Sequence, residues 1–160
     1  VEARIKRFNI IIVISYSKEF QNIKIEINRR DFGSKYELRN ILGVPMLVMV
    51  KEDMFANKLL AMLERMNKTS RDIYDVYFFA NNSWPINREL IKSRSGMDMK
   101  EVLEKCIGLL ENFDNRKILT GLGELLNQSK KDWVKAKLKS ETLFFLRLML
   151  EGEKDTRFKT

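Results

Sequence analysis

The chain has 160 residues, 44% of them apolar and 32% charged, with 30 Lys and Arg against 22 Asp and Glu for a net charge of +8. With no histidine and one cysteine, Cys106, it cannot build a Ser-His-Asp or Cys-His nucleophile, a histidine-ligated metal site, a cysteine zinc site or an intramolecular disulfide. Its length suits one domain with a buried core, and its charge favours polyanionic partners such as nucleic acid or nucleotides. Chemistry must then rest on carboxylates, lysine, arginine or hydroxyls, and an oxygen-ligated Mg²⁺ stays open.

The first residues, VEARIKRF, lack the apolar core of a signal peptide. No run approaches the roughly 20 apolar residues of a membrane span, so a cytoplasmic protein without a membrane segment is expected. Residues 9–15, NIIIVIS, are a continuous β-branched run that predicts a strand buried on both faces. Residues 21–30, QNIKIEINRR, alternate strictly, with Ile23, Ile25 and Ile27 on one face and Lys24, Glu26 and Asn28 on the other. The intervening SYSKEF reads as a turn joining an antiparallel hairpin. DFGSKYELRN reads as a polar connection, and residues 44–50, VPMLVMV, as a third short strand opened by Pro45.

From Lys51 the period changes to 3.6, and Phe55, Leu59, Leu63 and Met66 form the stripe of an amphipathic helix closed by Asn67 and Lys68. A second helix is expected from Thr69, with Thr69 and Asp72 as a capping box, ending at the N-N-S-W-P breaker of residues 81–85. Further helices are read at residues 87–93 and 97–113, over RKILTGLGELL, and from 131 to 150, with a solvated tail after them. Three strands followed by five or six helices make an α+β fold: a small N-terminal three-stranded sheet, then a C-terminal helical bundle.

One constellation stands out. Lys58 and Arg65 lie seven residues apart along one line of the first helix, flanking its apolar stripe. Asp72 and Asp75, at i and i+3, share a face of the second helix, and Arg71 is placed to pair with Asp75 at i+4. Their surroundings, Ile73, Tyr74, Val76, Tyr77, Phe78 and Phe79, are apolar on nearly every side, so the carboxylates need partners. Lys58 alone suits a snorkelling cation, Asp72 a helix-start carboxylate and Asp75 an ion pair with Arg71 or Arg65. Spacing does not choose between a structural charge network and a site.

The pattern K-x-x-A-x-x-x-R at residues 58–65, followed by R-D-x-Y-D-x-Y at residues 71–77, resembles the AbiEii/AbiGii toxin family of nucleotidyltransferases. The tighter match runs from about Ile23 through Phe79. The resemblance implies a polymerase-beta-like nucleotidyltransferase, a toxin acting beside a cognate antitoxin, that transfers a nucleotide from an NTP to an RNA acceptor, tRNA in related toxins, with Mg²⁺ as cofactor. Carried over by position, Lys58 contacts the nucleotide phosphates, Asp72 and Asp75 are the carboxylates of the catalytic block and Arg71 orients one of them, so Lys58, Arg65 and Arg71 are the expected nucleotide-binding residues. On this basis residues 1–50 are a partial nucleotidyltransferase sheet, 51–152 the helical region bearing the motif and 153–160 a tail. Positive charge on phosphates and carboxylates for the metal suit such chemistry, which does not need histidine.

The superfamily's G-[GS]-[ST] turn and D-x-D strand are absent: of the eight aspartates, no two are separated by a single residue. The expectation is that the metal-binding segment lies upstream of Val1 or that the chain is a degenerate member, and that these 160 residues are catalytically incompetent. Glu26 is a candidate third metal carboxylate, against plain pairing with Lys24 or Arg30. The alternative function is a non-catalytic basic module that binds RNA or protein through the Lys130–Lys139 run around Trp133.

Overall fold

A computed structural model describes residues 1–15, 22–66 and 68–155. The chain separates into two compact units, Val1–Gly33 and the part from Ser34 onward. The α+β order expected from the sequence is present, with a three-stranded N-terminal sheet followed by helices. The membership of that sheet differs from expectation, as described next.

In the first unit, β1 (Glu2–Ile5), β2 (Asn9–Ile14) and β3 (Ile23–Asn28) form an antiparallel sheet in the order β1-β2-β3. The register sets Ile10 opposite both Ile5 and Ile27, and Ile12 opposite Ala3 and Ile25, so alternate positions build one isoleucine-rich face. Strand β1 was not foreseen, although A-R-I already alternates. Strand β2 is half-buried along its length rather than sealed on both faces, because Ile23, Ile25 and Ile27 beside it are themselves exposed. The turn expected at SYSKEF lies outside the described residues apart from Ser15.

The second unit opens with a hairpin of β4 (Tyr36–Ile41) and β5 (Val44–Met49). The third predicted strand is thus real but belongs to a separate two-stranded sheet. The stretch read as a polar connection supplies its partner: Tyr36 and Leu38 alternate with Glu37 and Arg39, and the last two pair at 2.6 Å. Leu42 and Gly43 both take positive φ, 52° and 83°, which matches the twist of a two-residue hairpin turn.

The helices follow: α1 (Lys51–Arg65), α2 (Arg71–Asn81), α3 (Arg88–Ser95) and α4 (Met99–Glu111). Asn87 caps α3 through Leu90 N–H, and Asp98 with Glu101 forms a reciprocal capping box at α4. The helix expected over RKILTGLGELL is instead a 3-10 turn, Asn115–Lys117, followed by further turns. Gly121, at φ 76°, breaks the helical path there.

The last stretch is α5 (Gln128–Trp133), a π-helical turn (Val134–Leu138) and α6 (Lys139–Asp155). Val134, Leu138, Thr142 and Leu146 are all fully buried. Spacing by four drifts around a helix of about 3.6 residues per turn, and one wider turn brings the stripe back to the core.

The buried apolar core is drawn from the helices and the turns between them: Phe55, Leu59 and Met62 from α1, Ile73 and Val76 from α2, with Leu103, Cys106 and Leu110 from α4. On α1, Phe55, Leu59 and Met66 of the predicted stripe are buried, whereas Leu63 sits at the rim of the core and Met62 lies inside it. Phe79 stacks on Trp84 at 4.3 Å and 11°, which folds the breaker back onto α2. Among the described residues no helix is long and apolar enough to cross a membrane.

Candidate functional site

Helices α1 and α2 pack against each other, and the row holding Lys58 and Arg65 meets the first turns of α2. Lys58 Nζ lies 3.3 Å from Asp72 Oδ1 and 2.6 Å from Asp75 Oδ2. Arg65 Nη2 reaches the same Asp72 from the next two turns, at 3.0 Å from Oδ1 and 2.9 Å from Oδ2. The approach to Oδ2 is close but poorly aligned, so that oxygen receives no hydrogen bond. The Asp72 side chain is 2% exposed, whereas Lys58, Asp75 and Arg65 retain 37%, 33% and 49%.

The cluster is therefore anchored at a sealed carboxylate and opens to solvent through its cations. Burial works against the Lys58 ammonium, but the hydrogen bond and charge of Asp75, reinforced by Asp72, outweigh it and hold its pKa above the usual lysine value. Lysine 58 is charged at neutral pH, and two cations face two carboxylates.

Four of the predicted residues, Lys58, Arg65, Asp72 and Asp75, are thus brought together. Arg71 is not brought into this network. Its Nε donates to Gly121 O at 2.5 Å, and it forms no ion pair with Asp75 among the described residues. The capping box at Thr69 and Asp72 also fails: Ser70 is the cap residue, Thr69 Oγ1 accepts from Arg71 N–H at 3.3 Å, and the Asp72 carboxylate is held by the two cations. The reason is energetic, since charge-assisted contacts to Lys58 and Arg65 exceed a neutral backbone cap.

Glu26 lies on β3 of the first unit, where Asn9 Nδ2 donates to it at 2.5 Å and Lys24 Nζ at 2.9 Å. Those two partners pull its pKa below the usual carboxylate range, Lys24 first. Among the described residues, no three acidic, histidine or cysteine side chains cluster closely enough to hold a metal ion. Asp72 and Asp75 are already neutralised by cations that would repel a second one. The described residues do not fit a Mg²⁺ site of their own.

Two polar features escaped the sequence. Asp53 is fully buried and accepts from Lys35 N–H and Asn87 Nδ2, both at 2.6 Å, tying the hairpin base and the start of α3 to α1. Asn57, next to Lys58, receives Arg94 Nη1 at 2.7 Å and donates to Ser34 Oγ at 3.0 Å. Their partners are 18 to 37 residues away, so no local spacing could announce them. The motif tyrosines have packing roles: Tyr77 contacts Trp133 at 4.9 Å and Phe145 at 6.1 Å, and Tyr74 lies 6.5 Å from Tyr77.

The same residues that meet across α1 and α2 are those that carried the family resemblance. A family model described as "Nucleotidyl transferase AbiEii toxin, Type IV TA system" matches residues 3–146. The chain belongs to the AbiEii family. The match extends well beyond the K-x-x-A-x-x-x-R and R-D-x-Y-D-x-Y segments, into the sheet before them and the helices after them. Membership makes the protein a nucleotidyl transferase-type toxin of a toxin–antitoxin system, with an antitoxin as its counterpart. No curated protein and no solved structure matches the chain.

Proposed function

We propose that the Lys58 cluster is the phosphate-facing part of the nucleotide site of this AbiEii-family protein, which transfers a nucleotidyl group from an NTP to an RNA acceptor, tRNA being the favoured class. The observation that supports this reading is the asymmetry of the cluster. A sealed carboxylate, Asp72, fixes Lys58 and Arg65, while both cations stay open to solvent. Nucleotidyl transfer develops negative charge on phosphate oxygens, and fixed cations stabilise that charge without reorganising during the reaction. Asp72 is then a positioning residue. Asp75, more exposed and only 2.6 Å from Lys58, is the carboxylate able to give up Lys58 to an incoming phosphate.

Magnesium accompanies such chemistry in general by shielding the phosphates. The described residues supply no carboxylate cluster for it, so NTP binding is the step of this reaction that we assign to the Lys58 cluster. The protein is placed in the cytoplasm on the same reading.

Calorimetric titration of the chain with each NTP tests this directly. Lys58→Ala is expected to weaken NTP binding about 10- to 100-fold, the equivalent of one charge-assisted hydrogen bond, with the melting temperature within a few degrees of wild type. Loss of the fold in Lys58→Ala would return this lysine to a structural role. RNA binding with no NTP binding by the wild type would favour a non-catalytic basic module, which the absence of a carboxylate cluster also supports.

A further inference from the structure

The cations of the helical unit are not all engaged alike. Arg88, Arg94, Lys100 and Arg147 form ion pairs, and Lys139 Nζ is spent on the carbonyls of Glu111 and Phe113 at 2.9 and 2.8 Å. By contrast Lys117, Lys131 and Lys135 form no ion pair among the described residues, and Lys130 and Lys137 beside them form none either. Lys131 and Lys135, four apart, share one row of the last helical stretch. Asn115 Nδ2 donates to Lys135 O at 2.9 Å, so the 3-10 turn that carries Lys117 sits against the π-helical turn that carries Lys135.

This basic surface is joined to the Lys58 cluster. Ser70 Oγ donates to Lys117 O at 3.1 Å, Ser70 N–H to Thr120 O at 3.0 Å, and Arg71 Nε to Gly121 O. Ser70 and Arg71 open α2, and the next residue is Asp72. One segment, residues 115–121, thus touches the lysine-bearing π turn on one side and the start of the site helix on the other.

We propose that Lys117, Lys131 and Lys135 form a track for the phosphate backbone of a single-stranded RNA, leading its end toward the Lys58 cluster. The inference rests on the reading that the protein acts on RNA. Ammonium groups that form no ion pair, on adjoining elements, suit a chain of phosphates; Asp114, the carboxylate that acts on Lys117, is itself held by Arg116. Trp133, the aromatic side chain among these lysines, packs on Tyr77 and so is not offered as an anchor to an acidic protein partner.

Fluorescence anisotropy of a labelled single-stranded RNA, with the intact chain, tests the track. Three lysines on phosphates predict a wild-type affinity that falls about 20-fold between 50 and 200 mM salt. The triple variant Lys117→Gln, Lys131→Gln, Lys135→Gln is expected to bind about 10-fold or more weakly at 100 mM salt, with the slope of log K against log salt reduced by about 2. Its melting curve should match wild type. Unchanged RNA affinity in the triple variant overturns the track and leaves the nucleotide site standing. Displacement of the RNA by poly-glutamate as readily as by unlabelled RNA overturns it in favour of an acidic protein. No RNA binding by the wild type overturns both the track and the RNA acceptor.

Discussion

Asp72 is nearly sealed from water, yet each of its two cationic partners keeps more than a third of its side chain in solvent. That difference sets how much each group is worth. Removing the carboxylate leaves a buried polar site without its acceptor and frees both cations, whereas removing one half-exposed cation leaves the other in place. We expect Asp72→Ala to lower stability by about 2 kcal/mol and Arg65→Met by less than about 1 kcal/mol, read from urea denaturation. Equal losses in the two variants would show that Asp72 is not the anchor. Lys58 differs from Arg65 because it also holds Asp75, which is why its ammonium is stabilised despite burial.

The segment between α4 and α5 shows how a stretch with helical periodicity becomes a turn. Apolar residues in RKILTGLGELL recur at helical spacing, but Gly121 adopts φ 76° and presents its carbonyl to Arg71. A Cβ at Gly121 would stand 2.7 Å from Thr69 Oγ1, in a backbone region that side chains avoid. Gly121→Ala is therefore expected to cost about 1–3 kcal/mol in thermal or urea unfolding. Gly123→Ala, where the nearest atom is 3.6 Å away, should stay within about 0.5 kcal/mol. Similar losses at both glycines would remove the steric account of this turn. The α1 helix, the existence of α2 and the strand at residues 44–49 could be read from periodicity, whereas the partner of that strand could not. The glycine break could not, because only its contact with Thr69 and Arg71 selects the turn.

Among the described residues, all of the fully buried apolar side chains, from Phe55 onward, lie in the second unit, while the strands of the first are half-buried or exposed. Resistance to opening follows buried apolar contact, so the two units should differ in local stability. Amide hydrogen exchange is expected to be slowest in α1 and α4, around Leu59, Leu103 and Cys106, and faster by orders of magnitude in β1 and β3. Protection of the sheet equal to that of the helices would contradict this distribution. Burial also pushes the Cys106 thiol up to about 12, which marks it as a core side chain rather than a reactive one.

Read along the chain, the residues announce whatever depends on near neighbours: an α+β order, the period of α1, the alternation of β3, and the family through Lys58, Arg65 and the R-D-x-Y-D block. These signals repeat within a few residues, and local backbone geometry converts them directly into helix faces and strand faces. What closes across longer separations was settled by packing. Arg71 turned away to a carbonyl 50 residues on, Asp72 exchanged a cap for Lys58 and Arg65, and β5 found its partner in a stretch read as a connection. A side chain's spacing states where it can point, and the partner it finds depends on which buried polar groups the folded chain leaves to be satisfied there.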